Sequence, residues 1–337
     1  MADFELIIQP SHKVPRVRRF DMKLVVARAF ESMGERLDAN ETAFHARALT
    51  QVMARPFLMK YPAIKWRNLF DINTEINTGA KAHSYMQYED LGQAEIVDDL
   101  GGEFPNADVD GVETLQNIKS IGSSYSFSVQ DLRAAQFANQ PLDSMKGVVA
   151  RKIIERKVDS LCAIGEARHG FTGLTNYPGL PLVAKGAQTA GTTWATATPS
   201  EILADINALY NQVFGSSNGT HTPNTLLLGP VGFGRISTLR LDSFNMLTVL
   251  AYLKNSLPWL KNIDFWQPLA TAGAGGKERI MLGEFGADNA QPIISQDFEQ
   301  FAPQMVNLTF KNLCHLRFGG MSVRYQNAFA AMDGTEP

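Results

Sequence analysis

The 337-residue sequence has two cysteines, Cys162 and Cys314, at no metal-ligand spacing. That excludes a disulfide scaffold and a cysteine-ligated zinc module, and the apolar surroundings of both mark them as reduced core residues. Charge of one sign is scarce too: 31 Lys and Arg against 34 Asp and Glu leave a net charge of -3. A chain so close to neutral has no overall field with which to bind nucleic acid or anionic lipid, so any such contact is local. No stretch reaches ~18 consecutive apolar residues, which argues against a membrane-spanning helix. The opening Met1-Ala2-Asp3-Phe4-Glu5 carries acids where a signal peptide needs a basic stretch before an apolar run. Charged residues make up 19% and hydrophobic ones 45%, which excludes disorder and coiled coil. What remains is a globular protein with a sparsely charged surface and a length suited to about two domains.

The near-neutral total hides strong segregation. Residues 1–70 hold twelve bases and seven acids, residues 71–118 one base, Lys81, against eleven acids, and residues 119–168 eight bases against five acids. So acidic a block between two basic ones points to complementary surfaces that meet within one subunit or between subunits. Residues 1–20 read as an extended arm with Pro10, Pro15 and the bases Arg16, Arg18 and Arg19, and helical periodicity follows from about Met22 to Met53. From Asp71 to Asp110 the pattern is extended and polar, with few large aliphatics, and predicts a protruding hairpin that packs on something else.

Alternation from Leu115 to Phe127 predicts a strand, and Ser128 with Asp131 predicts a capped helix start. After Pro141, the positions Leu142, Met145, Val149, Ile153 and Leu161 predict a long helix ending at Gly165, with Lys146, Arg151, Lys152, Arg156 and Lys157 on its other face. Thr198-Pro199-Ser200-Glu201 opens another helix, Asn224 to Leu228 reads as a strand, and Gly229-Pro230 opens helices running to about Leu257. Short strands are expected at Ile263–Trp266 and Arg279–Leu282. Near the C-terminus, Val306, Leu308, Phe310, Cys314, Leu316 and Phe318 share one parity, which predicts one long half-buried strand broken only by Asn312.

Chemistry is sparse. Gly215-Ser216-Ser217-Asn218-Gly219 matches G-x-S-x-G, yet a helix precedes it and a strand follows, the reverse of what a nucleophile elbow needs. A serine hydrolase built on Ser217 is therefore the minor alternative. Thr271 to Glu278 resembles a phosphate loop, but Thr271 replaces its first glycine and Glu278 its magnesium-binding hydroxyl. The six histidines lie far apart, and nothing buries the neighbouring Asp98 and Asp99 as an acid pair. No catalytic residue, cofactor or metal site is expected.

Taken together, these features resemble the major capsid proteins of tailed bacteriophages and the related encapsulins. The resemblance rests on Ile118-Lys119-Ser120-Ile121-Gly122, on Tyr125 to Leu132, on the long helix ending in Ile164-Gly165, and on Gly170-Phe171-Thr172-Gly173-Leu174-Thr175-Asn176. It implies an α+β fold with an N-terminal arm over 1–70 and an extended loop over 71–118. A peripheral domain with a spine helix would span 119–174, an axial domain 175–292, and strands returning to the peripheral domain 293–337. It further implies a homo-oligomer of pentamers and hexamers forming an icosahedral shell around double-stranded DNA, held by weak non-specific contact. Assembly in the host cytoplasm is implied, with portal, scaffolding and decoration proteins as further partners and no membrane. The acids of the extended loop, Asp98, Asp99 and Glu103 among them, are expected to rest on a neighbour's bases Lys146, Arg151, Lys152 and Arg156. Some relatives staple this loop covalently through a lysine near its tip; residues 82–118 contain no lysine, so a non-covalent shell is expected. No long scaffolding segment precedes the arm, so scaffolding is expected from another protein. An encapsulin-type compartment is the nearest alternative.

Overall fold

The computed structural model describes residues 61–94, 106–137, 142–185, 194, 196–242 and 247–334. The expected arm up to residue 60, the break at Pro141, and Asp98, Asp99 and Glu103 lie outside the described residues. From Pro62 onward the chain forms one compact unit.

A helical turn, α1 (Trp66–Leu69), is followed by two ten-residue strands, β1 (Ala82–Leu91) and β2 (Asp108–Asn117), paired antiparallel from Ala82↔Asn117 to Leu91↔Asp108. This ribbon is the expected hairpin. Its strands are exposed on both faces over most of their length, because a two-stranded ribbon has no layer of its own to bury against. The strand expected over Leu115–Phe127 is in fact two. Ile118 is buried and donates its N–H to Lys81, which ends β2 and starts β3 (Lys119–Ser128) in a different sheet.

Ser128 and Asp131 cap α2 (Val129–Phe137) reciprocally, each accepting the other's backbone N–H at 3.0 Å. The long helix is α3 (Leu142–Ala163). Its buried stripe is Ala150, Ile154, Val158, Leu161 and Cys162, whereas Val149 and Ile153, expected inside, are about half exposed. The helix ends at Gly165, in the left-handed region at φ 72°. The chain then folds back through β4 (Gly165–Glu166) and β5 (Phe171–Thr172). Leu174 and Thr175 donate backbone N–H groups to the helix-end carbonyls of Cys162 and Ala163, and the Thr175 hydroxyl adds a 2.7 Å bond to Ala163. These are the carbonyls that a helix C-terminus leaves unsatisfied. A side chain at Gly173 has no room, since its Cβ would stand 2.3 Å from the Ala163 oxygen. Gly173→Ala should therefore destabilise the fold by about 3 kcal/mol, read as a lower denaturant midpoint with an unchanged slope.

Next come β6 (Leu182–Val183), α4 (Pro199–Ser216), β7 (Thr225–Leu228), α5 (Pro230–Thr238), α6 (Val249–Ser256), β8 (Asn262–Phe265) and β9 (Arg279–Gly283). The capping box opening α4 is complete, with Thr198 and Glu201 each serving the other's N–H. The chain closes with β10 (Ala290–Gln300), β11 (Gln304–Val306), β12 (Thr309–Val323) and β13 (Phe329–Asp333). One sheet places β12 between β3 on one edge and β10 with β11 on the other; a second has the order β6-β13-β9-β7-β8. The expected single C-terminal strand is thus a hairpin followed by a strand. Asn307, at φ 49°, turns the chain so that Val306 pairs with Thr309, and Val306 and Leu308 are exposed. Asn312, which broke the alternation, is buried and donates to the Tyr125 hydroxyl.

The second sheet joins two cores. Leu226, Leu228, Ile280, Leu282, Ala330 and Met332 face a core filled by Ile202, Ile206, Leu209 and Val213 of α4. Leu227, Met281, Phe329 and Ala331 face the other way, into a core shared with α3 and β12. Strand alternation makes this division, because successive side chains leave opposite faces of the pleat.

Candidate assembly surfaces

Register fixes what each ribbon face carries. Met86, Tyr88 and Asp90 share one face with Leu115, Glu113 and Val109 across the ladder. There Met86, Tyr88, Val109 and Leu115 are all more than half exposed, an apolar stripe with two carboxylates beside it. On the opposite face, Tyr85, Gln87 and Gln116 near the root bond the Val323, Arg324 and Met321 carbonyls of the chain's own body. The two strands carry five acids, Glu89, Asp90, Asp108, Asp110 and Glu113, and contain no Lys or Arg. An exposed apolar stripe this continuous is a candidate contact surface.

The outward face of α3 is its counterpart in composition. Val149, Lys152, Ile153 and Arg156 fall at i, i+3, i+4 and i+7, hence on one exposed stripe, with Val148 beside it. The expected contact bases Lys146 and Arg151 lie beside this stripe and make contacts within the chain. Lys146 donates to the Ser126 carbonyl at 2.7 Å, while Arg151 lies 3.9 Å from Glu155 and 5.6 Å from the ring centre of Phe298. Lys157 pairs with Glu166 at 2.8 Å.

The inward face of α3 holds a polar hub that the helical phase read from sequence missed. Glu155 and Asp159 are buried one turn apart. Asp159 Oδ1 accepts the Trp66 backbone N–H at 3.1 Å, the Lys65 N–H at 3.4 Å and the Trp266 indole N–H at 3.0 Å. Glu155 accepts the Trp66 indole N–H at 3.1 Å and pairs with Arg67, which reaches on to Asp297 at 2.7 Å. Burial raises the Asp159 carboxyl above its ordinary value, against the pull of its three donors. The hub pins the chain at 65–67 and the segment at 266 to the same helix, and so fixes the scaffold from which the ribbon projects. Two acids at i, i+4 among Ile154, Val158 and Cys162 were its sequence signal.

Ser217 sits at the C-terminal cap of α4. Its hydroxyl donates to the Phe214 carbonyl and accepts the His221 backbone N–H, while the His221 ring pairs with Glu284 at 2.8 Å. The loop at 271–278 has a structural explanation. Glu278 is buried and its carboxylate accepts the Gly232 N–H at the start of α5, filling with an internal anion the place where a phosphate would bind. Among the described residues, no three His, Cys, Asp or Glu side chains converge as a metal site, and no helix is long and apolar enough to cross a membrane.

Known structures agree with this architecture. The capsid of Myoviridae phage XM1 superposes with a TM-score of 0.76 at 16% identity, covering 86% of this chain and 98% of its own. A protein of Mycobacterium phage Adephagia gives 0.63 at 14%, covering 90% and 99%. The virus-like particle from Pyrococcus furiosus gives 0.54 at 11%, covering 79% and 91%. No curated protein sequence matches the chain. The family model described as Major capsid protein matches residues 92–335, most of the chain and the fold above from the end of β1 onward. The chain belongs to the major capsid protein family of tailed bacteriophages, whose α+β fold and shell-forming role it shares.

Proposed function

We propose that this protein builds an icosahedral shell from pentamers and hexamers around double-stranded DNA, with residues 71–118 of each subunit laid over a neighbour. The peripheral domain would be residues 119–174 with 293–337, and the axial domain 175–292, residues 1–70 forming the arm. One observation carries the reading: an acidic ribbon with an exposed apolar stripe, and an α3 face with exposed Val149, Ile153, Lys152 and Arg156, stand in the same chain. Apolar stripes on both sides with opposite charges are what two copies need to recognise each other. The loop acids Asp98, Asp99 and Glu103 extend the acidic partner surface, and Lys152 and Arg156 are its principal bases. Weak non-specific contact with DNA, scaffolding supplied by another protein, portal and decoration partners, and assembly in the host cytoplasm complete the reading. The protein's role is structural and needs no catalytic residue.

Negative-stain electron microscopy with sedimentation of the expressed chain tests it. Closed particles or capsomer rings are expected, dissociating to single 37 kDa chains in denaturing electrophoresis because residues 82–118 lack lysine. A stable monomer in the presence of other viral factors overturns the shell, and covalent multimers overturn its non-covalent character. The nearest alternative, a cargo compartment, draws on the likeness to the Pyrococcus furiosus particle. Particles that co-purify with an enzyme and never with DNA would establish it.

A further inference from the structure

The ribbon is seated in an unusual way. β3 pairs with β12 as far as Lys119↔Phe318, and there the chain bends away at Ile118 into the ribbon. β12 runs on to Val323, and the carbonyls of Met321, Val323 and Arg324 are taken by side chains, Gln116, Tyr85 and Gln87. Side-chain bonds thus hold the ribbon on its seat, and they can open without breaking either strand ladder. Within the same root, both ring nitrogens of His83 are sealed from solvent with no hydrogen-bond partner. Gln116 Oε1, on the residue directly opposite, is sealed and unpartnered as well, as is Ser322 Oγ on β12. Buried polar atoms left this way favour any state that hydrates them.

We propose that the ribbon root is a proton-operated latch, closed while the His83 ring is neutral and released when it is protonated. A protonated ring carries two donors and a charge, and the charged groups around the root do not compensate it. Lys81 flanks it just before β1. From β3 and β12 come Lys119 and Arg317, whose guanidinium donates to the Ala80 carbonyl, and just past β12 stands Arg324, which donates to the Ala287 carbonyl. The acids on this face of the ribbon, Glu89, Asp108 and Asp110, stand at its far end. On the β4–β5 turn, whose Phe171 lies beside Gly320, Arg168 and His169 are further bases, and Glu166 is already paired with Lys157 and lies 4.0 Å from His169. Tyr85 and Tyr177 share a hydrogen bond, and burial pushes the Tyr177 phenol up, so that it adds no charge here.

Burial lowers His83 from its ordinary value of 6.5, so the sign is fixed. The seat is at full strength above pH 6.5 and loosens as pH falls from there through the lowered value, by up to about tenfold per pH unit within that window. Hydrogen exchange read by mass spectrometry on the unassembled full-length chain tests this at about pH 7.5 and about pH 5.5, corrected for intrinsic rates. Opening of peptides across 82–91 and 108–117 should be more frequent at the lower pH, by up to about tenfold, with α4 unchanged as the internal reference. His83→Gln keeps a polar side chain that cannot protonate and should erase the dependence. Gln116→Glu sets a carboxylate opposite the ring and should reverse it, seating the ribbon more firmly in acid. A wild-type ratio near one overturns the latch, as does a His83→Gln chain that keeps the wild-type dependence. Should His83→Gln open the ribbon at both pH values, Gln116→Glu decides: a dependence unchanged in sign overturns the proposal.

Discussion

Asp159→Ala should be the most damaging single substitution at the hub, lowering the stability of the unassembled chain by about 3–5 kcal/mol. All three donors that Asp159 satisfies converge on one oxygen, Oδ1. Two belong to the fully buried residues Trp66 and Trp266, which no water can reach once that oxygen is gone. Alanine leaves all three donors unpaired and a void beside two tryptophans. Asparagine keeps an oxygen in the same place, so Asp159→Asn should cost only about 1 kcal/mol, and equilibrium urea unfolding separates the two cases. Equal losses would show that the negative charge, not the acceptor, holds the hub.

The pH dependence gives a second check on the same residue. Because burial raises the folded-state value of Asp159 above 3.8, its contribution is fully present below 3.8 and is lost as pH rises through the raised value. Wild type should therefore gain on Asp159→Asn as pH falls through that window. A gap that stays constant or narrows in acid would mean that Asp159 gains more from its donors than it loses by burial.

Elements with their own chemical punctuation were legible in the sequence. The Ser128–Asp131 and Thr198–Glu201 caps, the Gly165 stop and the short apolar strands at 225–228 and 279–283 appear where the residues placed them. Three misreadings share one cause: periodicity reports a pattern without saying which neighbour will cover it. Leu115, Ile121, Tyr125 and Phe127 share one parity and read as a single strand, yet Ile118, at the other parity, moves the chain from the ribbon to the β12 sheet. Val306 and Leu308 keep the parity of Phe310, but the tight turn at Asn307 sets Val306 opposite Thr309 and so onto the other face. On α3 two neighbouring stripes compete, and Val149 and Ile153 of the one read as core face outward. The buried stripe sets Ile154, Val158 and Leu161 beside Glu155 and Asp159, and two acids among its positions hide it from a hydrophobicity argument. That apparent error is informative, since a helix that turns Val149 and Ile153 to solvent while burying two carboxylates offers its outer face as the subunit contact proposed above.

The strongest consequence for assembly follows from comparing apolar and charged contributions to that surface. Fully burying a leucine or tyrosine side chain is worth about 1.5–3 kcal/mol, whereas one exposed ion pair is worth about 0.2–1 kcal/mol and is screened by salt. The apolar stripe should therefore dominate and the charges should tune. Combining Leu115→Asp with Tyr88→Ala, both side chains being more than two-thirds exposed, should leave the subunit's unfolding curve unchanged. Closed shells should be lost under conditions where wild type assembles, because about 1.4 kcal/mol per subunit already shifts the assembly threshold about tenfold. Charge reversal at Lys152 and Arg156, or at Asp98 and Asp99, should raise that threshold by less, and more so in dilute salt than in concentrated salt. Light scattering across a salt series reads both effects. If the charge reversals leave assembly unchanged and shells are equally stable from low to high salt, the acidic loop does not rest on the bases of α3. If the double ribbon substitution assembles normally, the stripe of Met86, Tyr88, Val109 and Leu115 is not a subunit contact. The two surfaces are thus separable by experiment although they lie on the same loop, and a shell stabilised mainly by the stripe will hold together at salt concentrations that screen its charges.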